Sequence, residues 1–169
     1  MGRIHSNGQV WLINPNGVLF GKGAQVNVGS ILAAALAVTD PQGDRASGNW
    51  SINASDERMA SVINQGQIQA AQDGYVALLA HRVSNTGSIT APSGTVALGG
   101  GTAISVQFQK NKLLGIEVNQ QQLDAMVSNS GLINADGGQV LLSAGAHSSL
   151  LASAVNNVGQ IQARTVSMQ

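Results

Sequence analysis

Apolar and polar residues alternate with a period of two along most of this chain. In the stretch Val83 to Ala91, Val83, Asn85, Gly87, Ile89 and Ala91 share one parity, while Ser84, Thr86, Ser88 and Thr90 share the other. Successive side chains of an extended chain point to opposite faces, so this pattern predicts half-buried strands rather than helices. Short strands of this kind, separated by Gly, Pro, Asn or Asp, recur along the chain at roughly ten-residue intervals.

The strands belong to a repeat. The template Asn-x-Gly-x-Ile-x-Ala begins at Asn64, Asn85, Asn129 and Asn157, with spacings of 21, 44 and 28. A second template, Gly-x-Val-x-Leu, begins at Gly74, Gly94 and Gly138, with an earlier match at Gly8. Residue types that return at a fixed period are expected to stack on one another, as in a solenoid. The chain is therefore expected to be all-β, a single-stranded right-handed parallel β-helix with coils of about 21 residues. The 44-residue interval is read as two coils, with a degenerate copy between residues 100 and 120, and the 28-residue interval as one coil with an insertion near 146–154. About eight coils at roughly 4.8 Å each predict a rod near 38 Å long.

Asn on the inward parity needs a partner, because an unpaired buried amide costs about 1–3 kcal/mol. Stacked in register, Asn64, Asn85, Asn129 and Asn157 can bond one another as a ladder. The Gly two residues later is expected at a bend of positive φ. Ser55–Ile63, Asn119–Val127 and Ser148–Val155 carry apolar residues at i, i+3, i+4 and predict short helical turns at coil corners. Thr39 to Arg45 predicts a loop by its breakers. The division expected is 1–40, 41–60 as a loop insertion, and 61–169 as repeat coils.

Composition narrows the function. Eight Lys+Arg balance eight Asp+Glu, and only 9% of residues are charged. Nucleic-acid binding needs clustered cations and is not expected. The absence of Cys excludes disulfides and thiol chemistry. The longest apolar run, Ile31 to Val38, is far short of the roughly 20 residues of a membrane-spanning helix. Met1-Gly2-Arg3-Ile4-His5 has no apolar core of a secretory signal.

Catalytic and metal residues are not expected, and no cofactor is implied. The six Asp, at 40, 44, 56, 73, 124 and 136, fall mostly in turns. Asp73 and Asp136 occupy related places and could pair, which leaves a polysaccharide-active or carbohydrate-binding β-helix as the alternative reading. His5, His81 and His147 lack ligand spacing, although a solenoid could bring His81 to another corner. Asp56-Glu57-Arg58 and Lys110-Asn111-Lys112 read as solvated clusters, and Trp11, Trp50 and Phe20 as residues sealing the core.

Asn14-Pro15-Asn16-Gly17 predicts a tight turn between two apolar runs, Val10–Ile13 and Val18–Gly21. The stretch Asn7 to Ala24, continued by Gln25 to Leu32, resembles the filamentous haemagglutinin secretion domain of two-partner secretion exoproteins from Gram-negative bacteria. The tetrapeptide matches one of that family's two signatures. The other, an Asn-Pro-Asn-Leu element, is absent, as are the capping strands and signal peptide, so Met1 is expected to fall inside the domain. The resemblance implies a right-handed parallel β-helix and export through a partner outer-membrane transporter. It further implies a secreted or cell-surface adhesin with a host glycan or receptor as ligand, and no enzymatic activity. Asn14, Pro15, Asn16 and Gly17 would then serve transporter recognition or nucleate the first coils, and an uncapped first coil would favour end-to-end self-association.

Overall fold

The computed structural model describes residues 2–44, 46–118, 124–145 and 155–164. Three parallel sheets run side by side along it. The first holds Arg3–His5, Gln25–Val28, Gln67–Ala70, Ser88–Thr90, Leu132–Asn134 and Gln160–Gln162. The second holds Gln9–Ile13, Ser30–Ala34, Tyr75–Ala80, Thr95–Gly100 and Gln139–Ala144. The third holds Val18–Phe20, Ser61–Asn64, Arg82–Asn85, Met126–Asn129 and Val155–Asn157. The chain visits the sheets in rotation, so each circuit lays one strand on each sheet. This is a parallel β-helix.

Each sheet sends apolar stacks into the interior, and the second sends a further one, Leu12, Ala33, Leu78, Leu98 and Leu142. Ile4, Val26, Ile68, Ile89, Ile133 and Ile161 are in register along the first sheet. Val10, Ile31, Val76, Val96 and Val140 line up along the second. Val18, Val62, Val83, Val127 and Val155 do so along the third. β-Branched residues suit this arrangement, since each sits on its counterpart one strand away. The repeat visible in the sequence is thus the repeat of the core.

The second sheet is buried on both faces, which explains its nearly continuous apolar strands. Its outer face is covered by an antiparallel sheet of Ala37–Val38, Asn49–Ser55, Ala103–Gln109 and Lys112–Val118, with Gln42–Asp44 paired to Asn49–Ser55. Tyr75, Ala77, Leu79 and Ala97 pack outward there against Trp50, Ile52, Ile104, Val106 and Phe108. Trp50 stacks on Phe108 with ring centroids 3.9 Å apart, and Trp11 lies 5.6 Å from Trp50. These two indoles fill the second core; Phe20 is in the first.

Both cover-sheet segments leave the helix at the same corner, between a strand of the second sheet and the next strand of the third. The expected degenerate coil at 100–120 is therefore absent. Ala103–Gln109 and Lys112–Val118 pair antiparallel as a hairpin, and Arg82–Asn85 pairs directly with Met126–Asn129. The 44-residue interval holds one coil plus this hairpin. Residues 41–60 likewise carry two cover-sheet strands, including Gln42–Asp44 within the expected loop. With residues spent on the cover, the six described strands of the first sheet extend about 24 Å along the axis rather than 38 Å.

The expected helical turn at Ser55–Ile63 is also absent. Strand Asn49–Ser55 ends in a bend and strand Ser61–Asn64 follows. Its apolar spacing arises from an exposed Met59 ahead of an inward Val62 and an outward Ile63, on an extended chain. The turns expected at Asn119–Val127 and Ser148–Val155 lie largely outside the described residues; where the chain is described again, Met126–Asn129 and Val155–Asn157 are strands.

Candidate functional site

The four repeat asparagines meet on one corner. Asn64 Nδ2 donates to Asn85 Oδ1 at 2.8 Å, Asn85 Nδ2 to Asn129 Oδ1 at 2.8 Å, and Asn129 Nδ2 to Asn157 Oδ1 at 2.7 Å. Asn64, Asn85 and Asn129 are fully buried. Phe20 occupies the rung before Asn64, whose Oδ1 also accepts the Gly66 N–H at 3.1 Å. The three buried amides bond one another and nearby backbone, Asn64 Nδ2 also reaching the Ser88 carbonyl, while Asn157 ends the ladder exposed.

The glycines of this template do not have positive φ, contrary to expectation. Close approach requires them: a Cβ on Gly87 would run into the Gly66 carbonyl oxygen, and one on Gly131 into that of Gly87.

The Asn14–Gly17 turn closes locally. The Gly17 N–H donates to the Asn14 carbonyl at 2.9 Å, and the Asn16 N–H to Asn14 Oδ1 at 3.1 Å. Gly17 has φ +119°, a left-handed geometry costly for other residues. The Asn14 N–H donates to the Ala34 carbonyl at 2.9 Å, seating the turn on the second coil. Asn14 and Asn16 are exposed; Pro15 and Gly17 are half-buried. Arg58 reaches the turn from 42 residues away and donates from Nη1 to Asn16 Oδ1 at 3.1 Å. Arg58 is itself held by Asp56, whose Oδ1 accepts its N–H at 2.9 Å and its Nε at 3.1 Å. Those bonds hold the Asp56 carboxyl below its ordinary pKa, the backbone donor first. Nothing local in the sequence separates this pair from a solvated cluster.

Asp73 and Asp136 do not form a carboxylate pair. Asp73 is level with Ser93 and Gly137, because Tyr75, Thr95 and Gln139 are in register, so Asp136 is offset by one position with a coil between. Asp73 meets Lys112 Nζ at 3.2 Å, and Asp136 meets Arg164 at 3.0 Å, which lowers the Asp136 pKa. Asp73 borders a groove of about 510 Å³ between these turns and the hairpin tip, whose lining includes Ser93, Lys110, Lys112 and Gln139 and no aromatic ring. Among the described residues no three of His, Asp and Glu gather as a metal set, and no helix is long and apolar enough to cross a membrane.

His81 lies at the corner between the second and third sheets, fully buried, with both ring nitrogens lacking a hydrogen-bond partner. Burial pushes its pKa below 6.5; Arg82 adds to the shift and Asp124 opposes it. His5 is exposed on the first sheet, and His147 lies outside the described residues.

The chain is thus a β-helix whose buried asparagines bond one another along one corner, with the Asn14–Gly17 turn on its first coil. The sequence pattern of the TPS secretion domain, found in two-partner secretion exoproteins, matches residues 1–169, and the chain belongs to that family. It is similar to a heme/hemopexin-binding protein of Haemophilus influenzae, with 30% identity over 150 residues, covering 85% of this chain and 16% of the relative. The crystal structure of the HMW1 secretion domain from Haemophilus influenzae superposes with a TM-score of 0.71 at 26% identity, over 94% of this chain and 40% of that one. The chain thus spans less than half of either relative.

Proposed function

We propose that this domain directs export of a two-partner secretion exoprotein through its partner outer-membrane transporter. In this reading residues 1–40 carry the recognition signature and the later coils form the rod. The family membership supports it, and the observation that carries it is the Asn14–Gly17 turn, with both asparagines exposed on the first coil. Coil-by-coil stacking suits folding during emergence, since each coil needs only its predecessor as a template. The test is an export assay with the transporter present. Asn14→Ala and Asn16→Ala should cut export while leaving the circular dichroism spectrum intact; unchanged export would remove the recognition role.

The same reading makes the exported protein non-enzymatic, secreted or held at the cell surface, and adhesive toward a host glycan or receptor. The commitment of Asp56, Asp73, Asp124 and Asp136 to ion pairs supports the non-enzymatic part. Release of reducing ends from pectin, lost on Asp73→Ala, would contradict it.

The first coil also favours self-association. Ile4, Leu12, Leu19 and Phe20 line a pocket of about 390 Å³ there, and Leu19 is 64% exposed. Sedimentation at micromolar concentration should show association that Leu19→Ser weakens; a wild-type monomer would contradict it.

A further inference from the structure

The signature turn and its tie to Arg58 form by different routes. The hydrogen bonds that close the turn lie within Asn14–Gly17, and the Asn14 N–H seats it on the Ala34 carbonyl. The bond from Arg58 to Asn16 Oδ1 spans 42 residues and exists only once the strand Ser61–Asn64 has docked beside Val18–Phe20. We infer that Arg58 is a latch, which leaves the Asn16 side-chain oxygen open on the unfolded chain and occupies it when the coil closes. This rests on the recognition role proposed for the turn, and it identifies Asn16 Oδ1 as the acceptor that the transporter reads.

Three observations support the latch. Asp56 fixes the guanidinium by accepting both the Arg58 backbone N–H and Nε, and its side chain is only 11% exposed. The Asp56 N–H is bonded to the Thr102 carbonyl at 3.0 Å, so the latch is anchored to the root of the hairpin as well. A planar, oriented guanidinium gives up less freedom per bond than a mobile ammonium. Finally, two large apolar side chains near the turn are exposed, Leu19 after it and Met59, 66% exposed, beside Arg58. A purely structural clasp would need neither of them exposed. The transporter would engage a chain whose coil is still open and lose affinity as the coil closes, so folding itself would promote release.

The test is binding of the purified, folded chain to the purified periplasmic region of the transporter that exports it. Arg58→Ala should raise affinity about fivefold, the scale of one freed solvent-exposed hydrogen bond. Arg58→Lys should give a smaller rise, and Arg58→Ala in an Asn16→Ala background should change nothing. The Asn16 side-chain amide resonances should shift in Arg58→Ala, with the thermal midpoint within a few degrees of wild type. If Asn16→Ala weakens binding but Arg58→Ala does not strengthen it, the latch is wrong and turn recognition stands. If neither Asn14→Ala nor Asn16→Ala affects binding, the recognition reading falls and takes the latch with it.

Discussion

Asn85 and Asn129 are 44 residues apart, yet the Nδ2 of one donates to the Oδ1 of the other at 2.8 Å. A hairpin enters and leaves the helix between them without disturbing the stack, because both of its ends emerge at one corner. The ladder thus holds the coil register across an excursion as long as a coil.

Asn85→Ala removes a donor from Asn129 and an acceptor from Asn64, and both partners are fully buried. The expected cost is about 3 kcal/mol in chemical denaturation, two unmet amide groups at roughly 1–3 kcal/mol each. Asn157→Ala, at the exposed end of the ladder, should cost less than about 1 kcal/mol. Equal losses at the two sites would show that the bonds do not act as a buried ladder.

Gly87→Ala places a methyl group against the Gly66 carbonyl, whereas a Cβ on Gly115 meets nothing within 4 Å. The first substitution should destabilise by several kcal/mol or prevent folding, while Gly115→Ala should stay within about 1 kcal/mol of wild type. Similar thermal midpoints for the two variants would contradict the close stacking of coils.

Phe108→Ala removes the ring stacked on Trp50 between the cover and the second sheet. A loss of about 3–5 kcal/mol is expected. Trp11 and Trp50 are the chain's two tryptophans, so the native fluorescence should also shift to the red. An unmoved spectrum would mean that the cover does not shield Trp50.

His81 should make the fold acid-sensitive. Its folded pKa lies below the ordinary 6.5 because burial disfavours the charged ring, with Arg82 adding to the shift and Asp124 opposing it. Above 6.5 the ring is neutral folded or unfolded and contributes nothing. Below it the unfolded state takes up the proton first, so stability falls as pH drops toward the folded value. Asp56 and Asp136, with lowered pKa values, lose their contributions only in the more acidic carboxylate range. Urea midpoints between about pH 7 and pH 5 should fall more steeply for wild type than for His81→Phe. Identical slopes would show that protonating His81 costs nothing.

The sequence carried the helix but not its cover. Parallel coils keep equivalent residues a fixed distance apart, so Ile68 and Ile89, or Val76 and Val96, announce their own stacking. An antiparallel hairpin has the same period of two and no such spacing, which is why Ala103–Val118 passed for a worn coil. The one local mark of the hairpin is its tip. Lys110 and Asn111 have φ of 51° and 59°, the left-handed pair of a two-residue turn, written with Lys-Asn in place of the commoner Asn-Gly. Trp50, Ile52 and Ala54 likewise alternate with Ser51 and Asn53, a strand pattern hidden beside turn residues. At the turn, Asn14 to Gly17 is a local arrangement and was legible; Arg58, which completes it from a distant coil, was not.

Cross-linking tests the register most directly, because the chain has no cysteine of its own. Ser84 and Ser128 are paired on adjacent parallel strands, within the Cα separation that a disulfide bridges. Ser105 lies one nominal coil beyond Ser84, but in the cover sheet, where its hydroxyl bonds Asn53 Oδ1 at 2.7 Å. Under mild oxidation, Ser84→Cys with Ser128→Cys should close a disulfide in nearly every molecule, and Ser84→Cys with Ser105→Cys should not. The opposite result would place a coil where the hairpin stands and contradict the stacking described.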